Sequence, residues 1–187
     1  KIIFNYAVTF PKIDFFVSLN KKIILEAPIE DELSKDKIIS RIGNMFNKKI
    51  AKSLIKEEFE TEEIGIQVYY SNTTELYKKN NNQFIIVNNR PENFREIKTI
   101  FNDLYTKSFE VDRYPYFFVF LSYDENAVEK NKVEKILKSL LLRSFAKQIY
   151  KIIETQDNKK NSINSAVNFH EHFQIIESKN GIIIKNI

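Results

Sequence analysis

Chemistry in this chain would most plainly fall to His170 and His172, in the closing stretch NFHEHFQIIESKNGIIIKNI. They are the only two histidines present. Drawn out as a strand, the segment puts both imidazoles on one face, about 6.6 Å apart at roughly 3.3 Å per residue. Such a pair suits two ligands of one divalent ion, with a carboxylate or a third donor brought from elsewhere. The same alternation puts Phe169, Phe173 and Ile175 on the opposite face. The plainer reading is therefore a strand with an apolar inner side and two solvent-facing imidazoles.

The histidine pair resembles the His-hydrophobe-His strand of rolling-circle nucleases and relaxases, with Glu171 where that family carries an apolar residue. The resemblance implies a metal-dependent phosphodiesterase built on His170 and His172. Glu177 and Lys179 resemble the tail of the PD-(D/E)-x-K nuclease signature, while a cross-strand ion pair in a hairpin accounts for them equally. Asp124 ends an apolar run where α/β folds often set a catalytic acid, and where a helix cap also belongs. No catalytic residue, cofactor or resident metal is assigned on these grounds, and the chain reads as leaning away from catalysis.

A second candidate is a surface for anions or partners. Arg41, Lys48, Lys52 and Lys56 recur at multiples of three and four in one helical pattern. Arg143, Lys147 and Lys151 form an i, i+4, i+8 row in another, and no acid occurs between Lys135 and Lys151. With both helices on one side of a sheet, the rows would merge into one positive face. Such a face attracts nucleic-acid phosphates through counterion release, an anionic membrane surface, or an acidic protein. Against this stands the solvated side of two amphipathic helices in a Lys-rich chain, without the interleaved aromatics on which bases stack.

Composition prunes the alternatives. The net charge is +4, a mild bias rather than a global nucleic-acid signature. The absence of Cys removes disulfides, thiol catalysis, Fe–S clusters and Cys-based zinc sites. Only 3 glycines occur, and none forms a G-x-G-x-x-G, Walker A or G-x-S-x-G pattern, so phosphate-cradling loops and nucleophile elbows are excluded. The longest apolar run, residues 114–123, is about half of the roughly 20 residues a membrane span needs. The start at Lys1 and the lack of Cys lean the reading towards an extracytoplasmic or membrane-tethered protein whose leader has been removed.

The elements that must position these residues follow from periodicity. Residues 2–10, 13–19 and 23–27 read as three strands of a meander, broken at Pro11 and at Asn20-Lys21-Lys22. Residues 32–60 read as one long helix capped by Ser34, with Ile38, Ile42, Met45 and Phe46 on its apolar stripe. Strands follow at 64–70 and 84–89, then a helix from Pro91 with Phe94, Ile97 and Leu104 inward. Residues 114–123 predict a central strand covered on both faces. Residues 125–156 predict the longest helix, and Asn180-Gly181 marks a closing hairpin.

The expected fold is α+β (mixed α/β), one domain over residues 1–187. A single mostly antiparallel sheet is covered by two long amphipathic helices and one shorter helix, with a C-terminal β-hairpin. The function expected from this reading is a non-catalytic binding or scaffold module of a larger or membrane-tethered assembly, with a protein partner or a second copy at an exposed hairpin edge. Nucleic-acid binding by the basic helix faces is the alternative, and the histidine-based phosphodiesterase the third.

Overall fold

The computed structural model describes residues 2–72, 76–78, 82–109, 113–157, 173–178 and 181–186. It divides into two compact units, Lys1–Val133 and Glu134–Ile187. In chain order the first unit holds α1 (Ile2–Thr9), β1 (Phe15–Leu19), β2 (Lys22–Ala27), α2 (Lys37–Met45), α3 (Lys48–Ser53), β3 (Leu54–Glu60) and β4 (Ile64–Ser71). β5 (Leu76–Tyr77), β6 (Gln83–Val87), β7 (Arg90–Pro91), α4 (Arg95–Phe109), β8 (Tyr114–Pro115) and β9 (Phe117–Tyr123) complete it. α5 (Lys130–Asp157) begins at its end and runs into the second unit, where β10 (Phe173–Ser178) and β11 (Gly181–Asn186) form the closing antiparallel hairpin.

The α+β class and the C-terminal hairpin stand. The main sheet has five strands in the order β3-β4-β9-β6-β7, and all its pairs are antiparallel except β6 with β9. β9, the apolar run, is central as expected, and Phe117, Phe118 and Val119 are fully buried. Its alternate side chains serve two cores. Phe117 stacks on Phe101 of α4 at 4.1 Å between ring centroids, with Tyr70 and Tyr105 beside them. Phe118 stacks on Phe84 at 4.8 Å and joins Ile42, Ile50 and Tyr69 under α2 and α3.

Two elements differ from expectation. Residues 2–9 are a helix although Ile, Phe and Val favour a strand locally. Helical spacing lets Ala7 join Leu25 and Ala27 of the hairpin while Val8 enters the core under α2, and this burial outweighs propensity. The single helix over 32–60 becomes α2, α3 and β3. Phe46 ends α2, and Asn47 turns extended at φ −171 and restarts a helix by accepting a hydrogen bond from Lys49 N. From Leu54 the side chains alternate with period two and pair residue by residue with β4. The cap of α2 is Asp36 rather than Ser34; its Oδ1 accepts from Ile38 N and Ile39 N at 3.0 Å.

Arg41 ties the N-terminal elements together. It is fully buried, its Nε lies 3.3 Å from Glu30 Oε1, and its terminal nitrogens donate to the carbonyls of Pro11, Ile13 and Ala27. The Nε contact is ionic only, because that N–H is not aligned with the carboxylate and finds no acceptor. Glu30 in turn accepts from Ser40 and Asn44.

Candidate functional site

One face of the five-stranded sheet carries the strongest concentration of polar side chains with shared partners. Period-two alternation aims Lys56 and Glu58 of β3 and Gln67 and Tyr69 of β4 to the side of α2, and the register sets Lys56 opposite Tyr69 and Glu58 opposite Gln67. Asp36, at the start of α2, reaches the same row. Its Oδ2 accepts from the Tyr69 hydroxyl at 2.9 Å and lies 3.0 Å from Lys56 Nζ. Lys56 also meets Glu58 at 2.7 Å, and the Gln67 amide donates to that same oxygen at 2.6 Å.

The electrostatics follow from this geometry. Burial raises the Asp36 pKa, but the Ile39 amide, Lys56 and Tyr69 outweigh it and hold the carboxyl below its ordinary 3.8. The hydrogen bonds from Lys56 and Gln67 hold Glu58 below 4.5. Burial pulls Lys56 down, yet the two carboxylates win and raise it above 10.5. Burial and the Asp36 charge push the Tyr69 phenol far up, so it stays a donor. At neutral pH every member is committed to another. The row is a brace fixing α2 on the sheet, and it offers neither a free base nor a free cation.

Beside the brace runs a groove of about 410 Å³. Ile38, Ile86 and Phe120 give it apolar walls, and Gln67, Ser122 and Asn89 a polar rim. Gly65 allows Ser122 of the neighbouring strand to come close, since a Cβ at residue 65 would run into the Ser122 hydroxyl. Asn88 and Asn89, both in the left-handed region at φ 48 and 63, turn the chain at one end. Asn88 locks there by donating to the Tyr123 carbonyl at 2.9 Å and accepting from Tyr123 N at 3.1 Å.

The expected site residues are dispersed. Arg41 is in the core, Lys48 and Lys52 are exposed on α3, and Lys56 is on a strand inside the brace. The first basic helix face therefore does not exist, because the helix that would carry it is three elements. Arg143 and Lys147 are exposed on α5, and Lys151 falls on the same helix. His170 and His172 lie outside the described residues. Asp124 closes a turn ahead of α5 by accepting from Asn126 N at 2.9 Å. Asp36, Glu58, Gln67 and Tyr69 were not anticipated, because residues 54–60 read LIKEEFE, with no apolar–polar alternation to place Glu58 beside Lys56 on a sheet face.

The same stretch is the one that matches known proteins. Residues 42–133 match the family model of the DNA mismatch repair protein, C-terminal domain. The likeness is to DNA mismatch repair. The chain is 25% identical over 130 residues to the DNA mismatch repair protein MutL of Rickettsia conorii, and 23% identical over 130 residues to that of Rickettsia bellii. These alignments take in 70% of this chain and 21% of each relative, so the chain spans about a fifth of the curated relatives it matches. A crystal structure of the N-terminal domain of a DNA repair protein shares the fold at a TM-score of 0.63 and 20% identity, over 79% of this chain and 50% of that one.

The mismatch-repair likeness corrects three expectations. A scaffold module of a membrane-tethered assembly is overturned, because the residues that match the mismatch-repair family model carry all five strands of the main sheet and the similar curated proteins are mismatch repair proteins. The lean to an extracytoplasmic place falls with it, since the relatives are DNA repair proteins. A phosphodiesterase built on His170 and His172 falls too, as the likeness is to mismatch repair and not to a nuclease family. Among the described residues no helix is long and apolar enough to cross a membrane.

Proposed function

We propose that this chain is a folded module of a MutL-like DNA mismatch repair protein, working in repair through contacts with nucleic acid and with other repair proteins. One observation carries the reading. The family match is continuous from α2 to the start of α5, and it ends at Val133, where the first compact unit also ends. Sequence likeness and physical compactness thus share a boundary.

The brace and groove fit a positioning module better than a reaction centre. Their titratable groups neutralise one another, and what remains exposed is a shallow, mixed surface. The test is genetic. Deleting the segment encoding residues 42–133 in the cell of origin raises spontaneous mutation frequency to that of a strain lacking mismatch repair. An unchanged frequency defeats the reading.

A further inference from the structure

β3 ends the five-stranded sheet, and among the described residues no strand lies along its outer side. Two hydrogen bonds at its ends fix which of its backbone groups face outward. Asn72 N donates to Ser53 O at 3.0 Å, and Thr61 N donates to Ile64 O at 2.9 Å. In an antiparallel pair the residues that exchange bonds recur at every second position, so Ile55, Glu57 and Phe59 bond to β4. The amides and carbonyls of Lys56 and Glu58, with those of Leu54 and Glu60 beside them, point away from the sheet. These are the groups that an added strand engages.

The side chains on this edge select what it takes. Residues 54–63 carry five glutamates against one lysine. Alternation puts Lys56, Glu58 and Glu60 on the α2 side of the sheet, where Glu58 and Glu60 border the groove. Glu58 is shared with Lys56, whereas Glu60 is exposed and meets no cation among the described residues. A second copy is a poor occupant. Paired along the length of the edge about a twofold axis, it would set Lys56, Glu57 or Glu58 against its own counterpart, and like charges directly opposed destabilise a strand pair. An acidic segment meets the same repulsion, and a basic one does not.

We infer that β3 is a docking edge for an extended basic segment of a partner protein, which adds a further strand along Lys56–Glu60 and sets lysine or arginine side chains at alternate positions against Glu58 and Glu60. Both grounds, the open backbone and the acidic side chains, are independent of the repair reading.

The probe is a peptide alternating lysine and threonine, titrated into the isotope-labelled 187-residue chain and followed by amide NMR, with a glutamate–threonine peptide as its counterpart. The lysine peptide is expected to shift the amides of Lys56, Glu58 and Glu60 saturably and to slow their exchange with solvent, leaving those of α4 in place. Glu60→Lys, outside the brace, should weaken binding about fivefold or more. Glu60→Pro removes an outward donor without touching a bond to β4, and should weaken it as well. Unshifted β9 amides in both variants report an intact fold. No saturable shift at millimolar peptide overturns the inference, as does equal binding of the glutamate peptide or binding unchanged by Glu60→Lys. Binding that survives Glu60→Pro overturns the added strand, because charge alone would then hold the peptide. Shifts of the same amides on raising the protein concentration without peptide would make a second copy the occupant and overturn it too.

Discussion

The Tyr69 hydroxyl donates to Asp36 Oδ2 at 2.9 Å while the other oxygen of that carboxylate caps α2, so one side chain joins the second strand of the sheet to a helix start. Removing only the phenol oxygen, Tyr69→Phe, should cost about 1–2 kcal/mol, as for a hydrogen bond to a charged acceptor. Asp36→Ala also loses the cap and should cost about 2–3 kcal/mol. Urea melts followed by circular dichroism read both; a Tyr69→Phe midpoint equal to the parent's would show that the bond contributes nothing.

The brace also sets a pH dependence. Asp36 and Glu58 have folded-state pKa values below their ordinary 3.8 and 4.5, so their stabilisation is complete above those values and is lost as pH falls through the lower folded ones. Lys56 is raised above 10.5, so its share is present below that pH and is lost as pH rises through the higher folded value. Stability should therefore decline below about pH 5 and again above about pH 10.5. Asp36→Asn should flatten the acid limb and leave its upper part to Glu58, whose exposure makes that share small and salt-sensitive. Thermal melts across the acid range decide this, and an acid limb unchanged by Asp36→Asn would rule the brace out as its source.

Arg41 and Glu30 should behave as a unit. Arg41→Ala leaves the Glu30 carboxylate buried without its cation and should cost about 3–5 kcal/mol. Adding Glu30→Ala should recover part of that loss, because the stranded charge is then gone. A double-mutant cycle measures the coupling, and strictly additive losses would mean that the two side chains act independently.

The two left-handed asparagines should part company on substitution. Asn88→Gly gives up the paired hydrogen bonds to Tyr123 and should cost about 1–2 kcal/mol despite the easier backbone. Asn89→Gly, at φ 63, gives up no side-chain hydrogen bond to a described residue and should be neutral or stabilising by up to about 1 kcal/mol. Equal effects at the two positions would mean that the turn backbone, not the side-chain lock, governs this end of the groove.

Much of the frame is legible in the residues. The central β9, α4 with Ile97 and Leu104 inward, the length of α5, the hairpin turns at Asn20-Lys21 and the break at Pro11 all follow from periodicity and turn chemistry. The candidate site is less so. Arg41, Lys48, Lys52 and Lys56 share a helical spacing on paper, but Asn47 caps a new short helix and from Leu54 the chain pairs with β4 as an edge strand. The spacing is real and the helix is not.

The sequence by itself determined what could be local: which stretches alternate, which turn, which apolar run must be covered on both faces, and which cofactor-binding motifs are missing. Tertiary structure alone decided that residues 2–9 coil into a helix, that Arg41 is a buried hub and that Asp36, Lys56, Glu58 and Tyr69 meet. Those outcomes depend on partners far along the chain. Asp36 finds Tyr69 33 residues away, and Arg41 finds the Pro11 carbonyl 30 residues away. Propensity differs by tenths of a kcal/mol per residue, whereas a buried side chain or a charged hydrogen bond is worth about 1–3 kcal/mol, so the distant contact prevails wherever the two disagree.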